Sequence, residues 1–170
     1  MLILSASICF VEAQQKIFPA IKDYGGMFDV PFAKDWPDTS MKYNVIIEAG
    51  SPIGKPEEFY EPLEHIARLF NLLVYTGIPY KNLNVELVIF GPSISVVLNN
   101  EAYKKKFVDN PNLKVLDEMT KAGIKIHACG QSVMLNGIDR ATINPAIDVV
   151  VSRFTTVTNR QLKGYAFYKF

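Results

Sequence analysis

Residues 83–90, LNVELVIF, constrain the fold more than any other stretch of this chain. The run is apolar at nearly every position and stops at Gly91-Pro92-Ser93. A strand whose apolar character hardly alternates is one covered on both faces, and such strands belong to parallel sheets with helical crossovers. The surrounding sequence supplies those crossovers. Residues 43–48 (YNVIIE) form a β-branched run that ends at Ala49-Gly50-Ser51-Pro52, residues 124–128 a third that ends at Cys129-Gly130, residues 147–152 (IDVVVS) a fourth, and residues 165–170 (YAFYKF) a closing strand. Between the first two, Phe59, Leu63, Ile66, Phe70 and Leu73 recur at helical spacing and predict a helix over 57–76, closed by Gly77 and Pro79. Ser93 is placed to cap a short helix through Leu98, and residues 101–108 form a second helical piece. Asn110-Pro111 opens a third helix that Gly123 closes. A short helix follows Cys129 until Asn136-Gly137, and residues 154–163 form the last. The order predicts an α/β fold: three layers, with an about five-stranded, mostly parallel sheet and helices on both faces.

The regular pattern covers residues 43–170; residues 14–42 differ, with Pro19, Gly25-Gly26, Pro31 and Trp36-Pro37 punctuating short apolar pieces. They read as an irregular arm or loose hairpin laid over the domain, with Trp36 pinning it. Residues 1–13 are apolar and end in Val11-Glu12-Ala13, like the core and cleavage site of an export signal without its basic start. The expected location is periplasmic or secreted if the segment is such a signal, and cytoplasmic otherwise. The run is too short to span a bilayer as a helix, so no membrane span is expected. Ile8 is too bulky to precede a lipid-acceptor cysteine at Cys9. Removal of the segment would leave Cys129 as the one thiol, and a lone thiol in an oxidising compartment must be buried, protected or functional. A net charge of +1 offers nothing to nucleic acid, and the lysines at 104–106 suit a solvated helix face.

In a parallel sheet, ligands bind beyond the carboxyl ends of the strands. Gly50-Ser51, Gly91-Pro92, Cys129-Gly130 and Ser152-Arg153 would gather there, and all but Arg153 are small or turn-forming, which leaves room for a modest pocket. Cys129 is the candidate chemical residue, because the unpaired N–H groups of a helix start favour a thiolate. The competing reading is a buried cysteine acting as a small hydrophobe. His127, two residues earlier on the same strand face, is placed either to assist deprotonation or to pack in the interior. His65 falls within the first helix, where a surface role is expected. The chain has neither GxGxxG nor GxxxxGK[ST], so no nucleotide cofactor is expected. The two cysteines lack zinc spacing, and His127 with Cys129 would supply only two ligands, so no metal is expected.

These residues resemble the DsrE/DsrF-like family of sulfur-relay proteins over about Tyr43 to Phe170. The likeness rests on ELVIFGP (86–92), GIKIHACGQSV (123–133), GID (137–139) and the closing QLKGYAFYKF. The family's cysteine motif reads ACxNT or ACGNT, whereas this chain has Gln131 and Ser132 in place of Asn and Thr. The resemblance implies a three-layer domain assembled as a homo-oligomer, a trimer or hexamer. It also implies that Cys129 accepts sulfane sulfur as a persulfide from a donor and hands it to an acceptor, protein or small sulfur compound. Gln131 and Ser132 would then offer donors to the bound sulfur, or merely cap the helix. An export signal departs from the cytoplasmic setting of known relay partners.

Two other functions are compatible with the residues. A cysteine hydrolase would use Cys129 on its strand-to-helix elbow, tuned by Glu48, but it needs a base within reach and only His65 and His127 exist. A non-catalytic oligomeric binding protein would carry Cys129 as structure alone.

Overall fold

The computed structural model describes residues 14–170; the segment read as an export signal, residues 1–13, lies outside the described residues. Five strands form one sheet: β1 (Tyr43–Ala49), β2 (Leu83–Ile89), β3 (Lys125–Cys129), β4 (Asp148–Val150) and β5 (Ala166–Lys169). Their order is β4-β3-β2-β1-β5 and every pairing is parallel, so all five carboxyl ends share one edge. The helices are α1 (Pro62–Tyr75), α2 (Asn100–Lys104), α3 (Leu113–Lys121), α4 (Gly130–Leu135) and α5 (Arg153–Leu162).

Successive residues of a strand point to opposite faces, and the two faces differ here. Val45, Ile47, Val85, Leu87, Ile89 and Ile126 meet Leu63, Ile66 and Phe70 of α1 and Val115, Leu116 and Met119 of α3 in one continuous core. The opposite face carries Ile46, Val88 and Cys129, and Val157 of α5 is the helical residue packed among them. Topology explains the asymmetry. β4 and β5 are opposite edges of the sheet, so the chain between them must cross its full width, and it does so as α5.

The arm is tied into the molecule. Ile17 and Met27 form an antiparallel bridge, and the buried Asn71 amide of α1 accepts from Ala20 and Ile21 while donating to the carbonyls of Tyr24 and Gly25. Ile21 is thereby drawn into the main core. Trp36 lies against Tyr75 with ring centroids 5.8 Å apart and donates to Ala33.

Three helix starts differ from expectation. The first helix begins at Pro62 rather than residue 57, because proline fits only the first turn and the preceding Tyr60 N–H is held by Asn112 at 2.8 Å. Gly91–Val97 is a 3₁₀ segment in which the Ser93 hydroxyl donates to the Phe90 and Ala49 carbonyls, so it tethers loop to strand instead of capping. Asn110 accepts from the N–H of Asn112, and α3 starts one residue beyond that turn.

Candidate functional site at the carboxyl edge of the sheet

Cys129 ends β3 and stands at the N-cap of α4. The junction is tight: a Cβ on Gly130 would lie 2.7 Å from the carbonyl oxygen of Val150, so only glycine lets α4 start this close to the end of β4. The cysteine is 3% exposed. Its Sγ accepts the backbone N–H of Arg153 at 3.3 Å. Burial pushes the thiol pKa up, but the Arg153 N–H, the Ser132 hydroxyl and the N–H groups of Ser132 and Gln131 outweigh it and hold the thiol below its ordinary value. The Ser132 oxygen accepts from Gly91 N–H at 2.8 Å, which leaves its hydroxyl proton for the sulfur.

The Arg153 side chain is pinned at this edge. Its Nη1 donates to Glu48 Oε2 at 2.9 Å, and its guanidinium carbon stands 4.1 Å from the centroids of both Phe90 and Phe154. Ser152 caps α5, accepting from Phe154 N–H at 3.1 Å, and so sets the turn that aims the Arg153 N–H. The Phe90 ring fills the space above Gly50, where a Cβ would come within 2.1 Å of it.

Two residues back along the same face lies a buried ionic group. Glu86, 2% exposed, accepts from His127 Nε2 at 3.1 Å, Arg160 Nε at 2.9 Å and the Tyr165 hydroxyl at 3.3 Å. Burial alone would raise its pKa, yet the hydrogen bonds from His127 and Arg160 bring it down to about 2. His127 Nδ1 is buried without a partner among the described residues. His127 therefore joins the clamp that holds α5 to the sheet, and its Nε2 is directed at Glu86, not at Cys129.

The structure brings Gly130, Gln131 and Ser132 next to the Cys129 sulfur, while Gly91 reaches it only through the Ser132 hydroxyl and Ser152 only through the cap that precedes Arg153. Ser51 turns to the Tyr60 hydroxyl at 3.0 Å, and Pro92 lines a separate cleft with Pro52, Pro56, Tyr103 and Phe107. A groove of about 460 Å³ runs beside the junction, lined by Gly130, Gln131, Met134, Ile138 and Val149 to Val151. His65 lies on α1, beneath the other face, paired with Glu61 and stacked on Phe170. Among the described residues no group of three or more His, Cys, Asp or Glu is placed to hold a metal, and no helix is long and apolar enough to cross a membrane. Sequence reasoning placed Arg153 at a strand end without giving it a role and did not single out Phe90 or Glu86. Glu86 carried a signal of its own: a carboxylate inside an otherwise apolar strand must find partners.

With this geometry in view, the family is plain. The DsrE/DsrF-like family matches residues 46–170, and the chain belongs to it. The family generally relates to sulfur relay. Two solved structures share the fold. One is MTH1491 of Methanobacterium thermoautotrophicum, a protein of unknown function: 19% identity, TM-score 0.57, covering 76% of this chain and all of that one. The other is the ychN protein of E. coli: 14% identity, TM-score 0.55, covering 75% of this chain and 99% of that one. No curated protein matches the chain.

Proposed function

We propose that this protein is a sulfur carrier that holds sulfane sulfur as a persulfide on Cys129. The observation that carries the reading is the set of donors converging on Sγ, which lowers the thiol pKa in spite of burial. Sulfur exchange needs a thiolate, and the Arg153 N–H on the sulfur, with the polar groups of Ser132 and Gln131 lowering the thiol pKa, favours it. In the transfer, the Cys129 thiolate attacks the terminal sulfur of a donor persulfide R–S–SH. The donor S–S bond breaks, R–S⁻ leaves with the electron pair, and Cys129 becomes Cys–S–SH without net oxidation. Family membership supports the same chemistry. Apolar side chains exposed on and beside α4 and α5, namely Met134, Leu135, Val151, Phe154 and Leu162, support self-association into the homo-oligomer.

The near-complete burial of Cys129 favours a second reading, a structural cysteine within the cluster of Ile46, Val88 and Val157. Intact mass after incubation with a sulfane-sulfur donor separates the two. A carrier gains one sulfur, about 32 Da, removable by reductant and absent in Cys129→Ser. No gain, in a protein whose thiol resists alkylation until it is denatured, establishes the structural cysteine instead.

A further inference from the structure

Arg153 meets the site twice. Its backbone N–H ends on the Cys129 sulfur at 3.3 Å, and its guanidinium is fixed by Glu48 at 2.9 Å and by the rings of Phe90 and Phe154 at 4.1 Å each. Three elements thus converge on one side chain: Glu48 from β1, Phe90 from the end of β2, and Phe154 from α5 itself. An arginine stacked on aromatic faces and paired with a carboxylate is held more rigidly than an exposed pair alone would hold it. Glu48 is itself buried, and its second oxygen faces Lys169 of β5 at 3.9 Å.

We propose that the Arg153 side chain is a positioning latch: clamped by Glu48, Phe90 and Phe154, it keeps its own backbone N–H on the Cys129 sulfur and closes that sulfur off from solvent. The inference rests on Cys129 acting as the sulfur-bearing thiol, and it adds what controls that thiol. The latch has two opposed effects. Closed, it favours the thiolate and denies access; open, it admits a donor but removes one of the hydrogen bonds that stabilise the charge. The charged groups on this face are Glu48 on β1, Lys169 on β5 and Arg153 on α5, with Glu86, His127, Arg160, Lys125 of β3 and Asp148 of β4 further from the carboxyl edge.

Glu48→Gln tests the proposal by sign. It is close to isosteric and weakens the clamp without removing Arg153. If charge acted on the sulfur only through space, loss of a nearby carboxylate would lower the thiol pKa. If the latch positions the N–H, loss of its anchor raises the pKa. The measurement is the rate of Cys129 alkylation against pH, with Cys129→Ser as the blank. The expected result for Glu48→Gln is a midpoint raised by about one pH unit, the worth of one hydrogen bond to a charged group, together with a severalfold higher plateau at high pH. Arg153→Ala should move both further in the same directions, and Arg153→Lys, which keeps the charge but not the planar fork, should fall between it and wild type. A midpoint that falls or stays in Glu48→Gln overturns the latch, and so does a raised plateau with an unmoved midpoint, the mark of mere loosening. Sulfur loading of the same proteins separates the two readings. Absent loading with shifted profiles removes the carrier and leaves Arg153 as a control of thiol reactivity alone, whereas normal loading with unshifted profiles removes the latch and leaves the carrier.

Discussion

Leu87 and Glu86 are neighbours on β2, both almost wholly buried, and they face opposite worlds. Leu87 points into a core shared by α1 and α3 in which nearly every contact is apolar. Glu86 points under α5 into a network of His127, Arg160 and Tyr165. The first face supplies non-directional burial, which stabilises the fold in proportion to area. The second is covered by one helix crossing five strands, and its carboxylate is held by specific partners, while His127 Nδ1 is left without one among the described residues. The reactive candidate Cys129 lies on the second face. The candidate thiol and the main apolar core are thus separated by the thickness of one sheet.

That division can be tested residue by residue. Leu87→Ala should cost the most, about 3 kcal/mol of unfolding free energy for the lost burial and the cavity left behind, read from the denaturant midpoint at unchanged m-value. Its sulfur loading in the folded state should be unaltered; a loss of loading equal to the loss of stability would mean the two faces are not separable. Glu86→Ala should cost about 2 kcal/mol. That is less than a fully buried pair loses, because Arg160 is partly exposed and can rehydrate.

The same carboxylate predicts a pH dependence. Its folded pKa lies at about 2, below the ordinary 4.5, so the unfolded chain binds the extra proton. The stabilisation is fully present above about pH 4.5 and is lost as pH falls toward 2. Glu86→Gln should therefore show a flatter acid limb in thermal unfolding, and an unchanged limb would place the acid sensitivity elsewhere. The smallest effect belongs to Ser132→Ala, which removes one donor from the sulfur: the alkylation midpoint of Cys129 should rise by up to about one pH unit while stability changes by about 1 kcal/mol or less. An unmoved midpoint would show that the backbone donors alone hold the thiolate.

Much of the second face was legible in advance, though unevenly. The elbow at Cys129-Gly130 could be read because a β-branched run ending in cysteine and glycine before a helical stretch has few other uses. Ser152-Arg153 was recognised as a strand end, but nothing local shows that this arginine would lie between Phe90 and Phe154, since those rings come from positions 63 residues back and one ahead. His127 was taken as a possible aid to Cys129 on the strength of sharing its strand face. The structure keeps that shared face and gives the ring to Glu86, a partner 41 residues away. The pocket expected from small residues at the strand ends illustrates the same limit. Gly50 does leave space, and Phe90 occupies it.

The amino-acid sequence determined the order of strands and helices, their parallel arrangement and the edge at which the candidate site was sought, because these follow from periodicity, turn residues and the length of crossover that parallel strands require. Tertiary structure alone decided that β5 lies beside β1, so that α5 spans the sheet and delivers the Arg153 N–H to the sulfur. Strand order depends on which edge is free when the last crossover closes, and that is a property of the assembled sheet that no single segment encodes.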